Sequence, residues 1–266
     1  MGRWIPSSAD GLVLLDRDEA VLESLALHLM LSFDQIRRLH FSNRSEKPAR
    51  RALGRLVATG LACALTGTAL GRRKIWCATP RGRAAVGAQR SAAVPHVAGR
   101  SRVAHTLAVN EFCIALAEAA RTRGDRFTHL HWRNEIEHRA PGGLVIPDAV
   151  ATYELADGAQ AFRFLELDTG TMPLPRVQEK LLRYAALRRT DGWRRDYLAF
   201  PKVAVILGGR YQAQRLGRLL RAASVIKAGT PRLEVLLACA DDVDREGPLA
   251  SVWGWAGEEG RRGFLR

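Results

Sequence analysis

Two runs of strand-forming residues flank the pair Asp157-Gly158, and that arrangement restricts the fold more than any other feature of the chain. One run is Leu144-Val145-Ile146-Pro147-Asp148-Ala149-Val150-Ala151-Thr152-Tyr153. The other is Ala161 to Asp168, ending Phe164-Leu165-Glu166-Leu167-Asp168. Asp-Gly between such runs is a hairpin signal, because glycine accepts the positive φ that a tight turn demands. The pattern predicts an antiparallel hairpin. Side chains alternate along a strand, so Glu166 and Asp168 share a face, and Asp148 comes beside the end of the strand that carries Glu166.

Three carboxylates converge in that arrangement. Like charges repel, so such a cluster suits a cation that neutralises it, and a hard divalent ion such as magnesium takes oxygen ligands of this kind. Acids on an exposed hairpin with no metal are the plain alternative, and spacing leaves both open. Leu174 to Arg188 reads as an amphipathic helix in which Lys180 and Tyr184, four residues apart, share a face.

Charge is unevenly placed. The 266 residues carry a net +14, yet residues 36–90 hold thirteen Arg or Lys against the single acid Glu46. This stretch therefore accounts for +12, the footprint of a polyanion binder. No run of eighteen apolar residues exists and Met1-Gly2-Arg3-Trp4-Ile5-Pro6 lacks a secretory core, so a soluble, cytoplasmic protein with no membrane partner is expected. Cys63, Cys77, Cys113 and Cys239 are scattered, without C-x-x-C pairs, which predicts buried free thiols rather than disulfides or structural zinc.

Residues 1–15 read as an extension. Asp16 or Asp18 opens a helix with the stripe Val21, Leu22, Leu25, Leu29, and Ser32-Phe33-Asp34-Gln35 is a capping box that opens a second. Pro48 to Thr59 reads as a third helix closed by Gly60, with Ala52, Leu53, Leu56 and Val57 inward and Lys47, Arg50, Arg51 and Arg55 outward. Two short strands, Leu61 to Leu65 and Ile75 to Thr79, flank a loop with Arg72, Arg73 and Lys74. Residues 16–90 thus predict a winged helix-turn-helix whose third helix enters the major groove while the basic loop rests on phosphates. A dimerisation role for such a module stays open, as does a homodimer.

Residues 91–102 read as a basic, small-residue linker, and 103–240 as a second domain. Its elements are a helix from His105 to Arg121, a strand from Phe127 to Glu137, the hairpin, the Lys180 helix, a strand Val203 to Leu207, a helix Tyr211 to Ala223 and a strand Leu233 to Ala238. His129 and His131 are expected exposed on a strand face. Residues 241–266 read as a C-terminal tail in which Trp253 and Trp255 anchor a loose end.

Pro147-Asp148 followed by Glu166-x-Asp168 resembles the metal-dependent PD-(D/E)xK nucleases, which have a restriction-endonuclease-like fold. The predicted element order is similar to theirs. That family places a lysine where Asp168 stands. Lys180 would supply the cation from the helix, and Lys180-x-x-x-Tyr184 looks like the Gln-x-x-x-Tyr helix of recombination-type members. The resemblance implies an α/β (α+β) fold, with a winged helix-turn-helix ahead of a mixed-sheet nuclease-like domain. It implies Mg2+ or Mn2+ on Asp148 and Glu166, with Asp168 a further or outer ligand. Lys180 would act on the attacked phosphate, and Glu111 and Tyr184 would be accessory. Relocation of the lysine occurs within that superfamily, and a lost lysine is equally the mark of an inactive nuclease.

With Gly170-Thr171 after Glu166-x-Asp168, the chain from about residue 16 to about residue 240 is similar to the replication-relaxation family, bacterial and plasmid proteins linked to relaxation of DNA for replication. The resemblance implies a protein that acts on double-stranded plasmid or mobile-element DNA. One expectation is an endonuclease or nickase. The other is an inactive nuclease-like factor in replication, mobilisation or transcription control, with a protein partner from those processes.

Overall fold

The structure, a computed structural model, describes residues 14–42, 44–65, 74–88, 100–170, 172–227 and 232–266. The chain divides into two units: residues 1–117 with 128–134, and residues 118–127 with 135–266. The mixed α and β class expected from the sequence is what it adopts.

In the first unit, α1 (Asp16–Leu27) starts with Asp16, Asp18 and Glu19 in its first turn, where the helix dipole favours negative charge. A short strand β1 (Leu31–Ser32) leads into α2 (Phe33–His40). Its capping box forms as expected: the Ser32 side chain accepts the Gln35 N–H at 3.2 Å, and the Gln35 side chain accepts the Ser32 N–H at 3.1 Å. Helix α3 (Glu46–Ala58) begins two residues ahead of Pro48, because Ser45 is its N-terminal flanking residue. Gly60 follows at φ 70°, a conformation that side chains resist.

Strands β2 (Ala62–Leu65) and β3 (Ile75–Ala78) pair antiparallel, and β3 also pairs with β1 in a sheet of order β1-β3-β2. The loop carrying Arg72 and Arg73 lies outside the described residues. Helix α4 (Pro80–Ala85) follows, capped by the Thr79 hydroxyl. Met30, Ile75, Cys77 and Val103 form an apolar cluster. All four cysteines are free thiols; Cys63 is half-buried and the others are buried.

Residues 91–99 of the expected linker lie outside the described residues, and 100–102 are already helical. They open α5 (Arg100–Arg123), which contributes residues to both units. Among the described residues, Ser101–Arg123 is long and apolar enough to cross a membrane, and 56% of its most apolar window is buried inside the protein. Phe127 to Glu137 is not one strand. His129–His131 form a 3-10 turn, followed only by β4 (Trp132–Asn134). The turn wins because the Thr128 side chain accepts the Leu130 N–H and the His131 ring accepts the Thr128 N–H.

In the second unit a small hairpin, β5 (His138–Ala140) with β6 (Gly143–Val145), precedes the central one. The central hairpin is β7 (Ala149–Glu154) with β8 (Gln160–Asp168), and Gly158 turns it at φ 84°. Then come α6 (Leu174–Arg188), β9 (Lys202–Leu207), α7 (Gln212–Lys227) and β10 (Val235–Cys239). Residues 240–266 form α8 (Ala240–Glu246), β11 (Trp253–Trp255) and β12 (Arg261–Arg262). They are not a loose tail: β11 pairs with β10, and Trp253 and Trp255 are buried.

Within this unit six strands run in the order β12-β11-β10-β9-β8-β7. β8, β9 and β10 are parallel, whereas β7 lies antiparallel to β8. Parallel neighbours need crossover connections, and α6 and α7 supply them. The two helices pack on the face bearing Phe164, Val203, Val205, Val235 and Leu237, together with Val177, Leu181, Tyr184 and Leu219. Each such side chain, fully buried, contributes about 1.5–3 kcal/mol. Phe164, Glu166 and Asp168 alternate along β8 with Arg163, Leu165 and Leu167, so the two acids emerge on the helix-covered face.

Candidate functional site

Register brings the acids together. Ala149 pairs with Leu165 across the antiparallel β7–β8 ladder, so Asp148, one residue earlier, stands opposite Glu166. The main chain secures Asp148 twice: its N–H donates to the Leu165 carbonyl at 3.0 Å, and its Oδ2 accepts the Leu167 N–H at 2.7 Å. Its Oδ1 lies 4.0 Å from Lys180 Nζ. The hairpin therefore presents one carboxylate oxygen to α6 and ties down the other.

Glu166 is buried, and both its oxygens are taken from α6. Lys180 Nζ donates to Oε2 and the Tyr184 hydroxyl to Oε1. Tyr184 is fully buried and stacks on Phe164 with ring centroids 5.2 Å apart. Burial, and then the charge of Asp148, push the Glu166 carboxyl up to about 8, against the pull of Lys180 and Tyr184. Burial acts to lower the Lys180 ammonium, but the charges of Glu166 and Asp148 outweigh it and raise the group. Lys180 stays charged as a result.

Asp168 ends β8 on the same face, and its carboxylate has other partners. Oδ1 accepts the N–H groups of Gly170 at 2.9 Å and Met172 at 3.3 Å, while Oδ2 is paired with Arg215 of α7. Arg215 also donates to the Met172 carbonyl at 2.6 Å. Sequence reasoning missed Arg215; its only signal was an arginine in the first turns of a helix that follows a parallel strand. Lining a small, mostly apolar cavity beside these groups are Glu166, Asp168, Met172, Val177, Lys180 and Tyr184.

Among the described residues no group of three or more His, Cys, Asp or Glu is disposed to hold a metal ion. Magnesium commonly keeps several waters and takes only one or two carboxylates. Asp148 and Glu166 are two facing carboxylates, with the Leu167 N–H on Asp148 and Lys180 and Tyr184 on Glu166.

A family model described as replication-relaxation matches residues 22–203, more than half of the chain. The chain belongs to the replication-relaxation family. The site of this replication-relaxation protein lies within the matched span, apart from Arg215. A solved structure of a Lactococcus lactis ZitR double mutant is similar at 20% identity and TM-score 0.26, over 41% of this chain and 66% of that chain, just under two thirds of its length. No curated protein matches.

The remaining expected residues lie in the first unit of the replication-relaxation protein. Glu111 on α5 is engaged by Arg38 and accepts a hydrogen bond from Gln35 Nε2 at 3.2 Å. On α3, Lys47, Arg50 and Arg51 are exposed, and Arg50 also pairs with Glu46 at 2.6 Å and lies over the Phe33 ring. Arg55 holds the buried Asp18 through two hydrogen bonds of 2.7 and 2.8 Å. It therefore ties α3 to α1 as well as facing outward. Lys74 is exposed just before β3, while Arg72 and Arg73 lie outside the described residues.

Proposed function

We propose that this replication-relaxation protein binds double-stranded DNA through its first unit and cleaves a phosphodiester bond with Asp148, Glu166 and Lys180 of its second. The observation that supports this is the contact of Lys180, carried by a helix, with Glu166 and its approach to Asp148. It supplies the cation that the strand lacks. In the first unit, α3 is the recognition helix of a winged helix-turn-helix, with Lys47, Arg50, Arg51 and Lys74 on phosphates.

A magnesium or manganese ion bound by Asp148 and Glu166 would lower the pKa of a bound water and polarise the scissile phosphate. The chain's own residues do the rest. The Leu167 N–H orients Asp148, and the Tyr184 hydroxyl orients Glu166. With the acids so held, the Lys180 ammonium is a fixed positive charge for the phosphate oxygens as charge builds on them, in a partly buried setting where such charges count most. Asp168 acts as a positioning residue, since its carboxylate already holds Arg215 and two loop amides.

The test is a magnesium or manganese titration with supercoiled plasmid, comparing the protein with Glu166→Ala and Asp148→Ala. Metal-dependent nicking that both variants lose is the expected result. Robust cleavage by both variants overturns the proposal. A second reading, a DNA-docking protein built on an inactive nuclease-like unit, is favoured by the engagement of both Glu166 oxygens by Lys180 and Tyr184. It predicts DNA retardation by all three proteins with no cutting and no metal requirement.

A further inference from the structure

Helix α7 carries no acidic residue in Gln212–Lys227 but bears Arg215, Arg218 and Arg221. Its exposed side has a definite order. Gln214, Arg218 and Arg221 recur at spacings of four and three residues, which places them along one helical face, Tyr211 stands immediately ahead of the helix and three residues before Gln214, and all four are exposed. Tyr211 is 61% exposed, unusual for an aromatic side chain that has a core beside it. Arg215 lies alongside this row and turns the other way, to Asp168, whose strand also carries Glu166. The row therefore passes beside Asp168 at the level of Arg215.

We propose that this face of α7 is a track for a single strand of nucleic acid running to or from the Glu166–Lys180 site. The proposal rests on the reading of DNA as the ligand, and it names the strandedness and the surface that this reading leaves open. From Tyr211 to Arg221 the face spans about 15 Å, long enough to follow several residues of a strand. Arginines in a narrow row with an exposed aromatic at the head are what an unpaired strand uses, cations along the backbone and a ring for a base to stack on. A duplex offers no unstacked base to Tyr211. The basic α3 face of the first unit is the separate surface suited to duplex DNA.

The full-length protein is titrated with a fluorescent 15-nucleotide single strand and with the matching duplex across a potassium chloride series. Wild type is compared with Tyr211→Ala and with the double variant Arg218→Gln/Arg221→Gln. Each phosphate contact on a single strand contributes about 0.7 to the slope of log affinity against log salt. The double variant is therefore expected to lower the single-strand slope by about 1.4 and to weaken binding at least tenfold at low salt. Tyr211→Ala is expected to weaken single-strand binding with the slope unchanged, and duplex binding is retained by both variants. A single-strand slope unchanged in the double variant overturns the track, while equal losses on single strand and duplex overturn its strandedness. If wild type binds neither probe, the reading of DNA as ligand fails and takes the track with it.

Discussion

Lys180 and Tyr184 sit one helical turn apart on α6 and take the two oxygens of a single carboxylate, Glu166. A buried acid thus receives one donor on each of its oxygens from one face of one helix. The pair makes α6 part of the site as well as part of the core.

Removing one donor tests how much that matters. Tyr184→Phe keeps the ring that stacks on Phe164 but leaves Glu166 Oε1 without its partner. The expected loss is about 1–3 kcal/mol of unfolding free energy, read as a lower urea midpoint with an unchanged slope.

Lys180→Met separates the two roles of the lysine. Breaking a buried ion pair costs about 3–5 kcal/mol, and because Lys180 keeps 27% of its side chain exposed, the lower end is expected. Plasmid nicking should vanish as well. Full nicking by a folded Lys180→Met protein would remove the lysine from the chemistry.

Backbone geometry makes a third prediction. Gly170 has φ +90°, and a Cβ there would lie 2.9 Å from Gly209 Cα and 3.0 Å from the Gly208 carbonyl oxygen. Gly170→Ala is expected to destabilise by at least about 1–2 kcal/mol from the left-handed conformation alone, and to displace the loop whose amide holds Asp168. Thermal unfolding reads the first effect, and loss of nicking at a temperature where the protein stays folded reads the second.

His28 supplies a pH dependence in the first unit. It is fully buried and stacks on Trp132 at 3.9 Å. Burial first, then the charges of His129 and His40, hold it well below 6.5. The unfolded chain binds a proton near 6.5 that the folded chain refuses, so stability is complete above that value and falls as the pH drops below it, by up to about 1.4 kcal/mol per pH unit. Unfolding midpoints measured from pH 7.5 down to pH 5 should fall, and a variant His28→Phe should flatten the curve.

Much of the site was legible because it rests on two short periods. Alternation along β8 put Glu166 and Asp168 on one face, and the four-residue step on α6 put Lys180 and Tyr184 together. The capping box at Ser32 and Gln35 was equally local. Arg215 was not legible, since its partner Asp168 is 47 residues away and only the meeting of the Gly170 and Gly208–Gly209 loops brings the two together. The strand expected at His129 and His131 failed for the opposite reason. Alternation over a few residues competes with local capping, and the Thr128 side chain and the His131 ring settled that competition. The β5–β6 hairpin went unseen because its strands are three residues each, too short for a period to register.

Placing the cation on α6 has a mechanical consequence. A lysine on β8 would have its backbone fixed beside the acids by the ladders to β7 and β9. Lys180 reaches Glu166 from α6 through its side chain, so a displacement of α6 from β8 would part the two while the ladders of β8 with β7 and β9 stay intact. The acids and their counter-charge therefore answer to different forces, the acids to the cohesion of the sheet and the lysine to the grip of one helix.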